Sequence, residues 1–111
     1  MTDKRIVLTT ASSEEEARKI AHHLVENRLA ACVNIIPQIE SIYRWQGKID
    51  SSREWLLLIK TTAARSAQVC QKISELHSYE LPEILALAVA DGDRNALSWI
   101  GSSVKGGKEN F

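Results

Sequence analysis

Two short runs of this chain are apolar at almost every position, and they constrain its fold more than any other feature. Residues 55–61 read WLLLIKT, and residues 84–89 read ILALAV. A strand with one face in water alternates apolar and polar residues, whereas a strand that is covered on both faces loses that alternation. We therefore expect two strands with both faces buried, which requires a cover on each side of the sheet.

The surrounding sequence predicts that these strands belong to a βαββαβ arrangement. Ser13 and Glu16 have the spacing of a helix-capping box, and Pro37 interrupts an extended ribbon, which predicts a bulge. The six segments with strand or helix periodicity are a strand at 5–10, a helix from 13 onward, the ribbon at 31–45, the strand at 55–61, a helix at 63–76 and the strand at 84–89. A short helix is expected around 95–100.

The predicted fold class is α+β, with a ferredoxin-like antiparallel sheet that carries both helices on one face, in a single domain over residues 1–111. The core is expected at about 5–100, followed by a polar, frayed tail at 102–111. Right-handed crossovers leave the second face of the sheet bare. Because the strands are apolar on both sides, we expect another copy of the chain to cover that face. The residues alone leave dimer and trimer open.

The ribbon at 31–45 is long for a domain of this size. About fifteen extended residues at roughly 3.3 Å each span about 50 Å, whereas a compact domain of this length has a radius of gyration near 13 Å. We therefore expect part of the ribbon, with the strand that follows it, to project from the core as an extended hairpin.

The charge balance limits the classes of partner. Fourteen basic residues balance fourteen acidic ones, so no basic stripe exists for nucleic acid or for an anionic membrane surface. The N-terminus lacks the apolar region of a signal peptide, and no apolar run approaches the length of a membrane span, which predicts a cytoplasmic protein. Cys32 and Cys70 lie in apolar segments without the close spacing of metal or redox pairs, so we expect both to be small buried residues.

The strongest chemical cluster in the sequence is His77, Glu80 and Glu83, in a proline-containing loop beside Tyr79. Imidazole nitrogen and carboxylate oxygen suit a borderline divalent metal such as copper or zinc, so these three residues are the candidate metal ligands. The alternative is that His77 and Tyr79 end the second helix, while the two glutamates form hydrogen bonds or ion pairs across subunits.

A second candidate site consists of Tyr43, Arg44 and Trp45 with Lys60, and with Tyr79 from the loop. These residues offer cationic and aromatic surface to a small anion or a nucleotide-like effector in a cleft between subunits. The alternative, which we favour, is that they are interface residues, because Trp, Tyr and Arg are enriched at interface cores. No nucleophile beside a base and no glycine-rich phosphate loop is visible, so we do not expect an enzyme or an organic cofactor.

Four segments carry a resemblance to a known family, namely 30–37, 41–48, 58–62 and 77–84. With their order and spacing, the chain from 7 to 99 resembles the CutA divalent-cation-tolerance family. The resemblance implies a homotrimer whose subunits pair through long hairpins, as in the P-II signalling proteins. It also implies a role in tolerance of divalent cations, with copper binding proposed for bacterial members, while animal relatives have been associated with anchoring acetylcholinesterase.

The chain departs from the family at the copper ligands proposed for some members. Those members have a cysteine in the first strand and paired histidines before the loop tyrosine, where this chain has Thr9 and Leu76-His77. A high-affinity copper site of that pattern is therefore not expected here. The predicted function is a trimeric protein of the response to metal ions that binds copper or another divalent cation. The alternative is a P-II-like signalling or structural trimer that binds an effector or a protein partner at its clefts.

Overall fold

The computed structural model describes residues 1–106 and confirms the predicted element order and the four-stranded sheet. The elements, in chain order, are β1 (Lys4–Ala11), α1 (Glu14–Glu26), β2 (Cys32–Trp45), β3 (Lys48–Thr62), α2 (Ala63–Leu76), β4 (Ile84–Ala88) and α3 (Arg94–Ser103). The strands lie in the order β2-β3-β1-β4, and every neighbouring pair is antiparallel. No helix among residues 1–106 is long and apolar enough to cross a membrane.

Helix α1 begins at the predicted capping box. The Ser13 hydroxyl accepts a hydrogen bond from the Glu16 amide at 3.1 Å, and the Glu16 carboxylate accepts one from the Ser12 amide at 3.3 Å. The first bond satisfies an amide that the first helical turn leaves without a partner, and the second ties the residue before the N-cap to the helix. Helix α2 begins after Thr62, as predicted, although the Thr62 side chain makes no capping bond.

The hydrophobic core lies between one face of the sheet and the helices α1 and α2. Four elements contribute side chains that are inaccessible to solvent, and these are Val7 and Ala11 of β1, Leu57 and Ile59 of β3, Ala17, Ile20 and Leu24 of α1, and Val69 and Ile73 of α2. Their three- and four-residue spacing in the helices, and their alternate spacing in the strands, place them on the facing sides of the two layers.

The opposite face of the sheet is also apolar, as predicted. Leu8 stands opposite Leu58 on β3 and Leu85 on β4, and its neighbours on the same side continue the apolar surface. We call this surface the open face, and its apolar members are Ile6, Leu8, Ile36, Leu56, Leu58, Leu85 and Leu87. Leu85 and Leu87 are 52% and 48% exposed. Within residues 1–106, the open face is therefore a contiguous apolar patch that is exposed to water.

Strands β2 and β3 form the predicted projecting hairpin. Gln46 and Gly47 have φ values of 50° and 79°, which is the turn geometry that suits a two-residue hairpin. Strand β1 ends opposite Trp55, so the hairpin beyond that point has no third strand beside it. The molecule is consequently 49 Å long against 26 and 22 Å in its other dimensions. The bulge predicted at Pro37 lies between Ile36 and Ile39.

The polar tail predicted from residue 102 is wrong for its first residues. Helix α3 continues through Ser103, and Val104 is completely buried. The Arg28 guanidinium donates to the carbonyl oxygens of Ser102 and Ser103 at 2.9 and 3.4 Å. The carbonyl groups that a helix end leaves without partners thus find donors in a distant loop. Residues 107–111 of the predicted tail lie outside the described residues.

Candidate functional site

The loop from 77 to 83, between α2 and β4, begins with a completely buried imidazole. Nε2 of His77 lies 2.6 Å from the Thr10 carbonyl oxygen, and Nδ1 accepts a hydrogen bond from the Tyr79 amide at 3.1 Å. A carbonyl oxygen only accepts, so Nε2 carries the proton and Nδ1 presents its lone pair. Both ring nitrogens are therefore used inside the chain.

Glu16 connects this loop to the start of α1. One of its carboxylate oxygens accepts a hydrogen bond from the Ser78 amide at 3.0 Å, while the other, bonded to the Ser12 amide, lies 3.7 Å from Nδ1 of His77. Burial opposes ionisation of this carboxyl group, but hydrogen bonds from Ser78 and Ser12 outweigh it and hold the pKa of Glu16 below its usual value. The loop is thus bonded to both β1 and α1.

Tyr79 connects the same loop to the base of the hairpin. Its hydroxyl donates to the Glu54 carboxylate at 2.7 Å, and Glu54 is only 6% exposed. Glu54 stands opposite Ile39, directly beyond the point where β1 ends. Burial, followed by the hydrogen bond to Glu54, raises the pKa of Tyr79 well above its usual value. The phenol is therefore a fixed donor at neutral pH.

The end of the loop is held by Thr9. Its buried hydroxyl donates to the Glu83 carbonyl oxygen at 2.8 Å. Thr9 is the position where the family resemblance places a cysteine in some members, and here its side chain supports the loop backbone. Leu76, the other departure from that pattern, is the last residue of α2 and packs at the edge of the core.

The three predicted metal ligands do not meet in one chain. His77 is occupied by Thr10 and Tyr79, whereas the side chains of Glu80 and Glu83 are exposed and have no hydrogen bond or ion pair within residues 1–106. No group of three or more His, Cys, Asp or Glu side chains in that part of the chain could hold a metal ion. A metal bound by Glu80 and Glu83 would need donors from a further chain, and metal binding stays a prediction.

The second predicted cluster is divided between the two ends of the hairpin strands. Tyr43 stands opposite Asp50, whereas Lys60 stands opposite Cys32 at the far end of β3. The stretch of strand from Asp50 to Lys60 spans about 33 Å, so one chain does not bring Lys60 to Tyr43, Arg44 and Trp45. Tyr79 comes from the loop after α2, and its hydroxyl bonds Glu54 at the base of the hairpin.

Sequence reasoning missed Glu54, the buried carboxylate of this site. The one signal in the sequence was its position directly before the apolar run at 55–61, where an acidic residue on a covered strand needs a partner. That partner, Tyr79, is remote in sequence and comes from the loop after α2.

Comparison with known proteins identifies the family. A sequence model described as the CutA1 divalent ion tolerance protein matches residues 5–103. The chain belongs to the CutA divalent-ion tolerance family. The resemblance drawn from the sequence motifs is thereby confirmed.

Two prokaryotic CutA proteins match almost end to end. The divalent-cation tolerance protein CutA of Thermus thermophilus is 50% identical over 97 residues, which cover 87% of this chain and 94% of that protein. Its solved structure has a TM-score of 0.88 at 48% identity and covers 91% of this chain and 98% of that chain. The solved CutA of Archaeoglobus fulgidus, described as periplasmic, has a TM-score of 0.86 at 39% identity, covering 90% and 97% of the two chains.

Some CutA relatives are longer proteins. The chloroplastic CutA of Arabidopsis thaliana is 38% identical over 90% of this chain, but the match covers 55% of that relative. The chain spans about half the length of this relative.

Proposed function

We propose that this chain works as a CutA-type homotrimer in tolerance of divalent cations, and that it binds ligands rather than catalysing a reaction. The observation that carries the proposal is the open face, whose leucine and isoleucine side chains are left at the surface of the single chain. Monomeric soluble proteins rarely expose a contiguous apolar patch of this kind. The proposal of a trimer rather than a dimer rests on the family resemblance.

Burial of the open face offsets a substantial part of the cost of association. Full burial of a Leu or Ile side chain contributes roughly 1.5–3 kcal/mol, and association costs about 4–15 kcal/mol in lost freedom. Leu85 and Leu87, about half exposed, add to the half-buried Leu8, Leu56 and Leu58. The projecting hairpin supports the same assembly, because its outer edges offer unpaired backbone groups to a neighbouring sheet.

Glu80 and Glu83 support metal binding at the junction between subunits. Both carboxylates are exposed and have no partner within the described residues. Carboxylate oxygens bind divalent cations, and copper leads the divalent affinity series. We propose that copper or another divalent cation binds these two glutamates together with donors of a second subunit, and that His77 positions the loop without touching the metal.

The first experiment is native mass spectrometry with and without a modest excess of copper or zinc. We expect a trimer that retains about one metal ion per subunit, and a loss of that metal in Glu80→Gln/Glu83→Gln. The matched control is Glu14→Gln/Glu15→Gln, which removes two exposed carboxylates from α1. Weak, graded adducts that are the same in all three proteins would refute the metal site, and a wild-type monomer would refute the assembly.

A second candidate function is a P-II-like signalling or structural trimer whose clefts bind an organic effector or a protein partner. The observation in its favour is that both nitrogens of His77 are already bonded, which leaves the loop without its predicted imidazole ligand. A metabolite screen that finds a specific ligand in metal-free protein would favour this function. The cytoplasmic location is likewise a proposal, since a solved relative is described as periplasmic.

A further inference from the structure

Glu54 is a buried acidic side chain without a cationic partner among residues 1–106. It is 6% exposed, and its partner is the neutral hydroxyl of Tyr79. No Lys, Arg or His nitrogen among residues 1–106 lies within ion-pair distance of its carboxylate. Buried carboxylates are ordinarily paired with a positive charge or a metal, because an unpaired buried charge is costly. The described residues therefore supply no positive charge that balances Glu54.

The surroundings of Glu54 favour a positively charged group. The Tyr79 hydroxyl touches the carboxylate, so that an aromatic side chain lies beside it. An aromatic ring attracts ammonium and guanidinium groups through its negative face, and the carboxylate adds a negative charge. A small anion, which the sequence suggested as an effector for the residues at the hairpin, would be repelled by Glu54 here.

The position of Glu54 places it on the surface that the proposed assembly would cover. Glu54 lies on the same side of β3 as Leu56 and Leu58, so it continues the open face onto the base of the hairpin. This is the surface that another copy covers in the proposed trimer. Arg44 and Lys48, at the tip of the hairpin, are exposed and have no ion pair or hydrogen bond from their side chains within the described residues.

We propose that a basic side chain at the hairpin tip of a second copy, Arg44 or Lys48, occupies the position beside Glu54 and Tyr79 in the assembled protein. This inference rests on the self-association proposed above and adds its polar anchor: the site is complete only when a neighbouring copy supplies the cation. Apolar contacts on the open face favour association but do not fix one orientation. One buried ion pair per junction would fix how the hairpin of one copy docks on the next.

The test is the rate of subunit exchange between unlabelled and 15N-labelled protein, followed by native mass spectrometry. Glu54→Gln keeps an oxygen that accepts from Tyr79 and removes the charge. We expect it to accelerate exchange about tenfold or more, since removing one member of a buried pair raises the dissociation rate. Arg44→Met or Lys48→Met should have the same effect. Whichever of these two substitutions accelerates exchange should add little further acceleration in the double variant with Glu54→Gln, because both substitutions remove the same interaction.

The control is Glu40→Gln, an exposed carboxylate on the same hairpin, which should change exchange by less than about twofold. A wild-type protein that is monomeric would refute the proposed assembly itself. An oligomeric wild type in which neither Arg44 nor Lys48 couples to Glu54 would refute this inference alone. So would a Glu54→Gln protein that exchanges normally but has lost bound zinc, since the carboxylate would then serve a metal. If Glu54→Gln does not fold, unchanged exchange in both Arg44→Met and Lys48→Met refutes the inference.

Discussion

Glu16 carries more structural weight than its place in a capping box requires. Its carboxylate accepts a hydrogen bond from the Ser12 amide just before α1, and another from the Ser78 amide in the loop after α2. A charged acceptor of two amides is stabilised by both. The start of one helix and the end of another are therefore joined through a single side chain.

We predict that Glu16→Gln lowers stability at neutral pH and that the loss disappears in acid. The folded-state pKa of Glu16 is depressed below its ordinary value of 4.5, so its ionised form stabilises the protein at and above that pH. This contribution is lost as the pH falls through the depressed folded-state pKa. Urea unfolding from about pH 7 to about pH 3 should show a gap of about 1–2 kcal/mol at neutral pH, closing in acid.

The matched control for this prediction is Glu15→Gln, the exposed neighbour in the same helical turn. Its stability should run parallel to that of the wild type across the pH range, because Glu15 makes no contact with the loop. A gap for Glu16→Gln that stays constant down to the lowest pH would mean that the amide hydrogen bonds, and not the charge, carry its contribution.

Single residues also mark the limit of prediction from sequence at this site. The hydrogen bond from the Glu16 amide to the Ser13 side chain follows from local spacing, and the structure confirms it. The role of His77 does not, because its partners are the backbone carbonyl of Thr10 and the backbone amide of Tyr79. Side-chain spacing predicts a ligand for such a histidine, whereas the tertiary fold decides whether its nitrogens are free. Glu54 was missed for the same reason.

At the scale of elements, α3 depends on a residue outside it. Arg28 has a φ of 55° in the connection between α1 and β2, and its side chain reaches the last carbonyl groups of α3. Its own carbonyl oxygen accepts a hydrogen bond from the Lys105 amide at 2.7 Å. Arg65 of α2 donates to the Lys105 carbonyl oxygen at 2.8 Å. The end of the described chain is thus bonded to two distant elements.

We predict that Arg28→Ala frays the last turn of α3 and lowers the free energy of unfolding by about 1 kcal/mol, the typical worth of a lost hydrogen-bonding partner. Hydrogen exchange should show faster exchange for amides near the end of α3, with α1 and α2 unaffected. Arg18→Ala, at an exposed position of α1, is the matched control and should leave α3 unchanged. Uniformly faster exchange throughout the protein would show that Arg28 supports the whole core instead.

The bounds of an element were predictable where local periodicity and capping set them. They were less predictable where pairing with a neighbouring strand sets them. Strand β3 begins at Lys48, well before the apolar run at 55–61, because cross-strand bonds to β2 hold its polar first half extended. Helix α3 exceeds the predicted 95–100 because Asp93 caps its start and Arg28 its end. Lys60 could not be placed relative to Tyr43 without the register of the hairpin.

At the scale of the whole molecule, one face of the sheet is covered by helices and the other is exposed. One is sealed by α1 and α2, with Val7 and Ile59 inaccessible to solvent, whereas the other leaves Leu85 and Leu87 about half exposed. Association is favourable because it removes such an apolar patch from water. Because these side chains are not needed to close the core of the single chain, changing them separates assembly from folding.

We therefore predict that Leu87→Lys disrupts the oligomer and leaves the fold of the single chain intact. Leu87 stands opposite Ile6 on the open face, so a lysine there would place one unpaired charge among apolar side chains at each junction, which costs several kcal/mol when it is buried. Sedimentation velocity should show a smaller species with unchanged far-ultraviolet circular dichroism.

The control is Val25→Lys, at a 41% exposed position of α1 on the other side of the sheet, which should sediment as the wild type does. If Leu87→Lys sediments with the wild type, the open face is not the surface that holds the copies together. The subunit contacts would then have to lie along the hairpin alone.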